Sequence, residues 1–522
     1  MDITGGLLAA TIVAIAVAAF ARWRGWGIAV PLLVAGAVVG ALPFGPTAPQ
    51  DAGEVFLLVL APLIFGEALS ASFIDFRRQR RPILALAIGL VVVSSAAVGA
   101  VAQAIVPSLP FTLAFALGAI LSPTDAVAVA AVAKRVSLPR RVITILEGES
   151  LVNDGTGLTL LKVALVAAAA GTVSVGDTLL ILGQSVLGGL LVGVAIGLLL
   201  VLVMRRTRDD LVTNCLVLIA PFPAYLIAEE VGGSGILAVV AASLIIANAM
   251  LTDKRFRGRM ASVAAWRQIT FILTAFAFFL VGLEITETVK VLPEDDLRLL
   301  PVLVVAVLTT LFLARASFVL LMVALSRWRR TDRLGLREAV VLAWAGARGP
   351  VSGLAAFSLP VAIGAGEALP ERSLLLATTF VVIAATLLLA PTLGPVAKLV
   401  RLPADDEAER AVALRAALAA SGIEALDQAL EQGILDEHPY ARAAERTVRD
   451  RLESVVQMAS AGDTQAGELA EQVWQLESAV IQAQRRELLR LRDVEGMPDS
   501  LVRPALHDLD LQLAALKARK PS

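Results

Sequence analysis

Ser122-Pro123-Thr124-Asp125-Ala126 and, one loop later, Glu147-Gly148-Glu149-Ser150-Leu151-Val152-Asn153-Asp154-Gly155 set several carboxylates among uncharged apolar residues, where a lipid-spanning helix should carry none. Ionisable groups at membrane depth are costly, usually face a protein interior or a watered cavity, and mark ion or proton pathways. The membrane setting itself follows from composition: 57% of the 522 residues are hydrophobic and 17% are charged, with a mean hydropathy of +0.78. Crossing a hydrocarbon layer of roughly 30 Å takes about 20 mostly apolar residues. About thirteen segments qualify: 5–21, 26–42, 53–73, 82–106, 111–133, 142–170, 178–204, 211–228, 235–250, 262–285, 299–325, 336–363 and 373–399. No basic residue precedes the first, which is therefore read as a span and not as a cleaved leader.

Loop charges set the expected orientation, because Lys and Arg gather on the cytoplasmic side. Basic residues fall in every second loop: Arg22 and Arg24; Arg77, Arg78, Arg80 and Arg81; Lys134, Arg135, Arg140 and Arg141; Arg205, Arg206 and Arg208; Lys254, Arg255, Arg257 and Arg259; Arg327, Arg329, Arg330, Arg333 and Arg337. The opposite loops hold only Lys290, Arg298 and Arg372. This alternation predicts an N-terminus outside and a cytoplasmic C-terminal tail, in a multi-pass protein of the plasma (inner) membrane. Cys215 is the one cysteine and lies in a span, so neither a disulfide framework nor a thiolate metal site is available. His438 and His507 are the only histidines and both lie in the tail, which excludes a His-based zinc site or triad within the spans.

After Pro403 the chain turns rich in Glu, Arg, Gln, Ala and Leu, with breaks near Gly433, His438-Pro439, Gly462 and Gly496-Met497-Pro498. Two domains are expected: a transmembrane domain over 1–400 and a helical cytoplasmic domain over 401–522. Val473, Leu476, Val480 and Ala483 have coiled-coil-like spacing, read here as ordinary packing within the tail and not as a zipper.

Two spans carry helix breakers beside charges. The fifth has Gly118 and Ser122-Pro123-Thr124-Asp125; the twelfth has Gly346-Ala347-Arg348-Gly349-Pro350-Val351-Ser352-Gly353. Discontinuous helices at matching positions of two halves point to a transporter binding site, where half-helix ends and unwound carbonyls meet an ion. If spans one to six and eight to thirteen are repeats flanking the seventh, both breaks fall at the fifth position. The expected fold is an all-α polytopic membrane protein of about 13 transmembrane helices, in two inverted repeats with broken crossing helices, followed by the helical tail.

Thr124-Asp125-Ala126-Val127-Ala128-Val129, followed by Glu149-Ser150-Leu151-Val152-Asn153-Asp154, resembles the paired signature of the cation/proton antiporter-1 family, the sodium/proton exchangers. Phe65-Gly66-Glu67-Ala68-Leu69, Phe279-Leu280-Val281-Gly282-Leu283, Leu313-Ala314-Arg315 and Ala347-Arg348-Gly349 resemble family elements in the expected order. The tail segment Arg485-Arg486-Glu487-Leu488-Leu489-Arg490-Leu491-Arg492 is similar to tails of bacterial members. Two positions depart from the family pattern: Ala126 stands where proline is common and Ala347 where leucine is common.

The resemblance implies that Asp154 is the carboxylate alternately protonated and bound to transported Na+, with Asn153 beside it. The residues support this independently. Sodium is a hard cation that takes oxygen ligands, and Ser150, Asn153 and Asp154 are spaced to share adjoining parts of one helix face. Thr124 on the broken span offers a hydroxyl and a carbonyl to complete the shell, with Asp125 beside it. Glu149 and Arg315 are implied to form a buried bridge between the sixth and eleventh spans, with Glu149 mainly structural. Arg348 either neutralises half-helix carbonyl ends at the twelfth-span break or fixes that break to Asp125. Glu67 is either a cavity-lining acid or a capped residue near a membrane surface. Glu229 and Glu230 read as solvated, and Lys162, Arg267 and Glu338 as snorkelling from span ends.

The function expected is antiport of Na+ (or K+ or Li+) for H+ in the service of pH homeostasis, electroneutral and one-for-one, with proton and cation competing for Asp154. The alternatives are a K+/H+ antiporter of the same fold and a cation channel. A channel would show repeated carbonyls or charge rings, whereas the Asn153-Asp154 site is single and asymmetric. No cofactor and no nucleic acid is expected. No nucleophile and base arrangement suggests an enzyme, and no Gly-rich phosphate loop suggests an ATP-driven pump. The family implies a homodimer, and the tail is a candidate site for a regulator of unknown kind.

Overall fold

In hydrocarbon no water is present to satisfy backbone N–H and C=O groups, so an apolar run becomes a helix. The computed structural model follows this rule and is almost wholly helical. It describes residues 3–42, 56–125, 138–170, 175–207, 209–252, 256–328, 334–363, 367–369, 371–402, 407–431, 441–460, 463–495, 497 and 499–518. Outside these lie several residues singled out above: Ala126 to Val129, Lys134, Arg135, Arg208, Lys254, Arg255, Arg329, Arg330, Arg333, and the tail breakers Gly433, His438, Pro439, Gly462, Gly496 and Pro498. By its contacts the chain forms two compact units, Met1–Ala404 and Asp405–Ser522.

The first unit begins with α1 (Ile3–Trp23), α2 (Ala29–Ala41), α3 (Ala61–Ser70) and the short α4 (Phe73–Arg78). One long crossing, Arg80–Ile105, runs through α5 (Arg80–Leu84), a π-helical stretch (Ala85–Leu90) and α6 (Val91–Ile105). Then come α7 (Phe111–Leu121), α8 (Arg140–Ala170), α9 (Val175–Arg206), α10 (Asp210–Ile219), α11 (Pro221–Glu230) and α12 (Gly235–Thr252). The unit closes with α13 (Phe256–Lys290), α14 (Glu294–Trp328), α15 (Leu336–Trp344), α16 (Pro350–Ala355), α17 (Arg372–Leu389) and α18 (Leu393–Val400). Among the described residues 7 helices are long and apolar enough to cross a membrane, and shorter apolar helices accompany them.

Three expected spans differ in detail. Residues 211–228 are two helices joined at Ala220-Pro221, because proline at the start of α11 cannot donate to the preceding turn. The span ending at 363 leaves the helix after Ser358; Pro360 follows, and Ala362–Ile363 instead pairs antiparallel with Glu367–Ala368. Residues 373–399 are interrupted at Pro391 by one tight turn.

On α9 the large side chains point outward and the small ones inward, although elsewhere the unit buries large residues such as Phe65, Phe279 and Phe380. Leu180 and Leu191 of α9 are 72% and 69% exposed, while its Gly189, Gly193 and Gly197 meet α12. A Cβ on Gly193 would lie 2.7 Å from the Ala238 Cα, and one on Gly197 would lie 3.1 Å from the Ala242 Cα. With lipid as apolar as leucine, helices associate by such close backbone approach. Gly36 and Gly40 of α2 seat against Leu283 of α13 in the same way.

The second unit consists of α19 (Glu407–Glu431), α20 (Ala441–Ser460), α21 (Asp463–Glu495) and α22 (Asp499–Ala518). Arg449 of α20 pairs with Asp427 of α19 at 2.6 Å, and Trp474 of α21 donates to the Leu516 carbonyl of α22 at 3.2 Å. Leu476 and Val480 are 68% and 51% exposed, which corrects the reading of that stripe as packed within the tail.

Candidate functional site

The fifth span stops being helical where the sequence places its proline. The helix α7 ends at Leu121; Ser122 caps back to Gly118 O at 2.6 Å, and Pro123, Thr124 and Asp125 run on without helical structure. Gly118 and Gly99 let this segment lie against α6: a Cβ on Gly118 would sit 2.8 Å from the Ser95 Cα, and one on Gly99 3.0 Å from the Phe115 Cα. The Ser122 hydroxyl is shared with Ser94 at 2.9 Å and Ser95 at 3.1 Å. On the other side, Gly157 of α8 makes room for Pro123, and a Cβ there would lie 2.9 Å from Ala119 O.

The twelfth span has a matching gap. Glu338 accepts from the Gly335 N–H at 2.8 Å, a cap that starts α15. The chain then unwinds from Ala345 to an extended Gly349 before Pro350 opens α16. The two gaps meet directly, with the Asp125 N–H donating to the Ala347 carbonyl at 2.8 Å. Gly349 is required there, because a Cβ would fall 2.6 Å from the Asp125 Cβ.

Arg348 serves the crossing. Its Nε donates to Leu121 O, the last carbonyl of α7, at 2.9 Å, its Nη1 to Gly346 O, and its N–H to Thr386 Oγ1 of α17 at 3.1 Å. Gly346 O lies at the twelfth-span break itself, whereas Leu121 O ends the half-helix of the fifth span, so the guanidinium spans both breaks.

Facing the crossing is α8, whose Glu149, Ser150, Asn153 and Asp154 are all buried. Arg315 of α14 grips Glu149 with two nitrogens, Nη1 to Oε1 and Nη2 to Oε2, the second at 2.8 Å. Its Nε donates to Leu342 O at 2.8 Å. Both partners are about 97–99% buried: Arg315 is 3% exposed and Glu149 1%. Thr124 links this pair to the neighbouring amide. Its hydroxyl donates to Glu149 Oε1 at 3.0 Å, while Asn153 Nδ2 donates to both the Thr124 carbonyl and hydroxyl at 3.1 Å. The Asn153 amide is thereby oriented, and its Oδ1, fully buried, accepts no hydrogen bond among the described residues.

Asp154 lies within electrostatic reach of Glu67 on α3 and of Asp125. The structure thus brings Thr124, Asp125, Glu149, Ser150, Asn153, Asp154, Arg315 and Arg348 to one place, with Glu67 approaching from α3. Among the described residues no group of three or more Asp, Glu, His or Cys closes into a cage; the oxygens gathered here come from carboxylates, an amide, hydroxyls and a backbone carbonyl. A cavity of about 320 Å³ lies behind the break, walled by Leu308, Phe312, Trp344 and Leu389 and reached by Arg315 and Arg348. No carboxylate lines it, and it adjoins the Asp154 cluster through Arg315 and Arg348.

Some contacts had no sequence signal. Thr386 and the Leu121 and Leu342 carbonyls hold the two arginines, and only packing reveals them. Glu229 is not simply solvated and Lys162 does not merely snorkel: they pair at 2.8 Å, Lys162 also donates to Gly233 O at 3.0 Å, and Glu229 accepts from the Gly235 N–H at 2.9 Å. Glu338, read as snorkelling, is the cap of α15 described above.

Comparison with known proteins assigns the arrangement. Residues 7–398 match the family described as sodium/hydrogen exchanger, transmembrane. The chain belongs to the sodium/hydrogen exchanger family. It is a multi-pass membrane protein of a transporter family, as the resemblance led one to expect. Among its relatives, an uncharacterized Na+/H+ exchanger of Mycobacterium tuberculosis is 33% identical over 505 residues, 93% of this chain and 91% of the relative. A sodium, potassium, lithium and rubidium/H+ antiporter of Bacillus pumilus is 34% identical over 386 residues, 70% of this chain and 57% of that protein. The fold is similar to that of the sodium proton antiporter MjNhaP1 from Methanocaldococcus jannaschii, with a TM-score of 0.61 and 21% identity, over 77% of this chain and 99% of that one.

Proposed function

We propose that the protein exchanges a monovalent cation, Na+ first, for H+ across the membrane, with Asp154 as the one group both compete for. The observation that carries this reading is the buried Asn153 Oδ1, which accepts no hydrogen bond among the described residues, next to Asp154 and in a site where Arg315 neutralises Glu149. Glu149 is held by Arg315 and Asn153 cannot ionise; in this reading the neighbouring Glu67 and Asp125 keep one protonation state through the cycle, and Asp154 alone alternates. A hard cation takes oxygen donors, and Asp154, Asn153 Oδ1 and Ser150 supply them, with Asp125 alongside. Thr124 orients the amide and offers its carbonyl.

Competition is sufficient for coupling. A bare carboxylate is expensive to move through a low-dielectric barrier, whereas the protonated and the cation-bound forms are neutral. Only neutral forms change sides, so each cation carried one way is matched by a proton carried the other. The crossed breaks suit this task, because their unwound carbonyls are bound to Arg348 and to the Asp125 N–H in place of water.

In this reading residues 1–400 form the exchanger domain and 401–522 a cytoplasmic domain, with the N-terminus outside, the working unit a homodimer, and the tail a place for a regulator. Potassium and lithium are the further candidate substrates, and a relative 34% identical over 70% of the chain is named for sodium, potassium, lithium and rubidium. The test is proton flux in proteoliposomes titrated with Na+, K+ and Li+, for the unmodified protein and Asp154→Asn. The variant should fold and exchange none of them; cation-driven proton flux through a well-folded variant refutes the assignment.

A further inference from the structure

The cavity behind the twelfth-span break is bounded by α14, by the end of α15 with the unwound residues 345–348, and by α17 and α18. Its volume of about 320 Å³ is at the small end of small-molecule sites, which run roughly 300–1,000 Å³, are mostly apolar and carry a few polar groups. The walls are apolar and aromatic. Phe312 and Trp344 meet edge to face at 5.7 Å, and Trp344 is fixed by its Nε1, which donates to Thr392 Oγ1 at 2.9 Å. Phe312 stands at the middle of the apolar run 299–325, and Phe312, Leu313 and Leu389 are 46%, 57% and 53% exposed. Exposed Phe and Leu at the middle of a span face hydrocarbon, so the cavity opens toward the bilayer at mid-depth.

Two guanidiniums line this apolar space, and they are matched unequally. Arg315 gives Nη1 and Nη2 to Glu149 and Nε to Leu342 O. Arg348 is 6% exposed. A guanidinium carries five N–H donors; among the described residues the Arg348 side chain uses two, on Leu121 O and Gly346 O, and forms no ion pair. Arg315 and Glu149 are the charges that act on it, and they already hold each other. A buried charge is costly unless paired, so Arg348 calls for an anion from the cavity side. The chemistry narrows that anion. Apolar walls disfavour a free inorganic ion, and mid-bilayer depth excludes a phospholipid head group, which stays at the interface. A single-chain carboxylate fits: the guanidinium fork matches its head, and the aromatic and aliphatic walls match its chain.

We propose that this cavity is a binding site for one long-chain carboxylate, a fatty-acid anion that enters from the bilayer, sets its head group on Arg348 and lays its chain between Phe312, Trp344 and Leu389. The site is distinct from the oxygens around Asp154 and does not depend on the exchange reading.

Photolabelling of the full chain in phosphatidylcholine nanodiscs tests this without requiring transport. The probe is palmitate carrying a mid-chain diazirine, with the labelled peptides mapped by mass spectrometry. Labelling should saturate, fall on the peptides holding Phe312, Trp344 and Leu389, and be displaced by unlabelled palmitate. Methyl palmitate, which has the chain without the charge, should displace it at least about tenfold less well, the effect of one charge-assisted hydrogen bond, and Arg348→Met should weaken palmitate binding by a similar factor. Ala343→Phe fills the cavity from α15 and leaves both arginines in place; it should abolish the saturable labelling, and it decides the matter with the ester if Arg348→Met does not fold. Labelling that fails to saturate or is spread equally over other lipid-facing helices such as α9, equal displacement by acid and ester, or full labelling of Ala343→Phe overturns the proposal.

Discussion

At the scale of single residues the site is governed by which charges are already neutralised. Glu149 and Arg315 are buried and matched by two parallel hydrogen bonds, so each keeps the other inexpensive. Glu149→Ala or Arg315→Ala alone is expected to destabilise the protein by about 3–5 kcal/mol, because the survivor is stranded. Joint replacement by apolar residues of similar volume should recover part of that loss. A double-mutant cycle in thermal or denaturant unfolding measures the coupling, and simply additive losses would contradict the bridge. Arg348 differs, since its visible partners are carbonyls. Arg348→Met, which keeps the length and removes the donors, should cost about 1–3 kcal/mol through the unpaired Leu121 and Gly346 carbonyls, read as a lowered midpoint of unfolding.

At the scale of elements, function depends on two helices that stop in the same place. Gly157 and Gly349 keep that place tight. Gly157→Ala should press the Pro123 turn away from α8, at a cost of about 1–3 kcal/mol for an overpacked contact. It should also raise the half-saturating cation concentration, because Thr124 moves off Asn153; unchanged cation dependence in a folded variant would argue against the shared Thr124–Asn153 contact. Both breaks are legible from sequence, since proline and glycine act on their own backbone and a charge among apolar residues is conspicuous. The partners they acquire are not. Arg348 and the carbonyl it holds on Leu121 are 227 residues apart, and Lys162 and Glu229 are 67 apart. Nothing local to either residue encodes such meetings. Composition also misled at Glu229, where a charge at a helix end has the same sequence signature whether it is solvated or paired.

At the scale of the whole molecule, apolar runs announce the helices, and glycine and alanine stripes bring them together. The ends of the runs are less legible, because residues such as Pro360 and Pro391 break helices inside hydrophobic stretches. The tail stripe at Leu476 and Val480 shows the same limit: spacing marks an apolar face but not what covers it. For transport, the proposal that Asp154 alone alternates between proton and cation requires exchange without net charge movement. A Na+ concentration jump applied to proteoliposomes of the purified protein on a solid-supported membrane measures this directly, with radiolabelled Na+ uptake followed in parallel. If Asp154 alone trades one proton for one cation, uptake proceeds with no sustained current and an imposed voltage leaves its direction unchanged. A sustained current that scales with uptake, or Na+ accumulation driven by voltage alone, would contradict the one-carboxylate account and require a second titrating group.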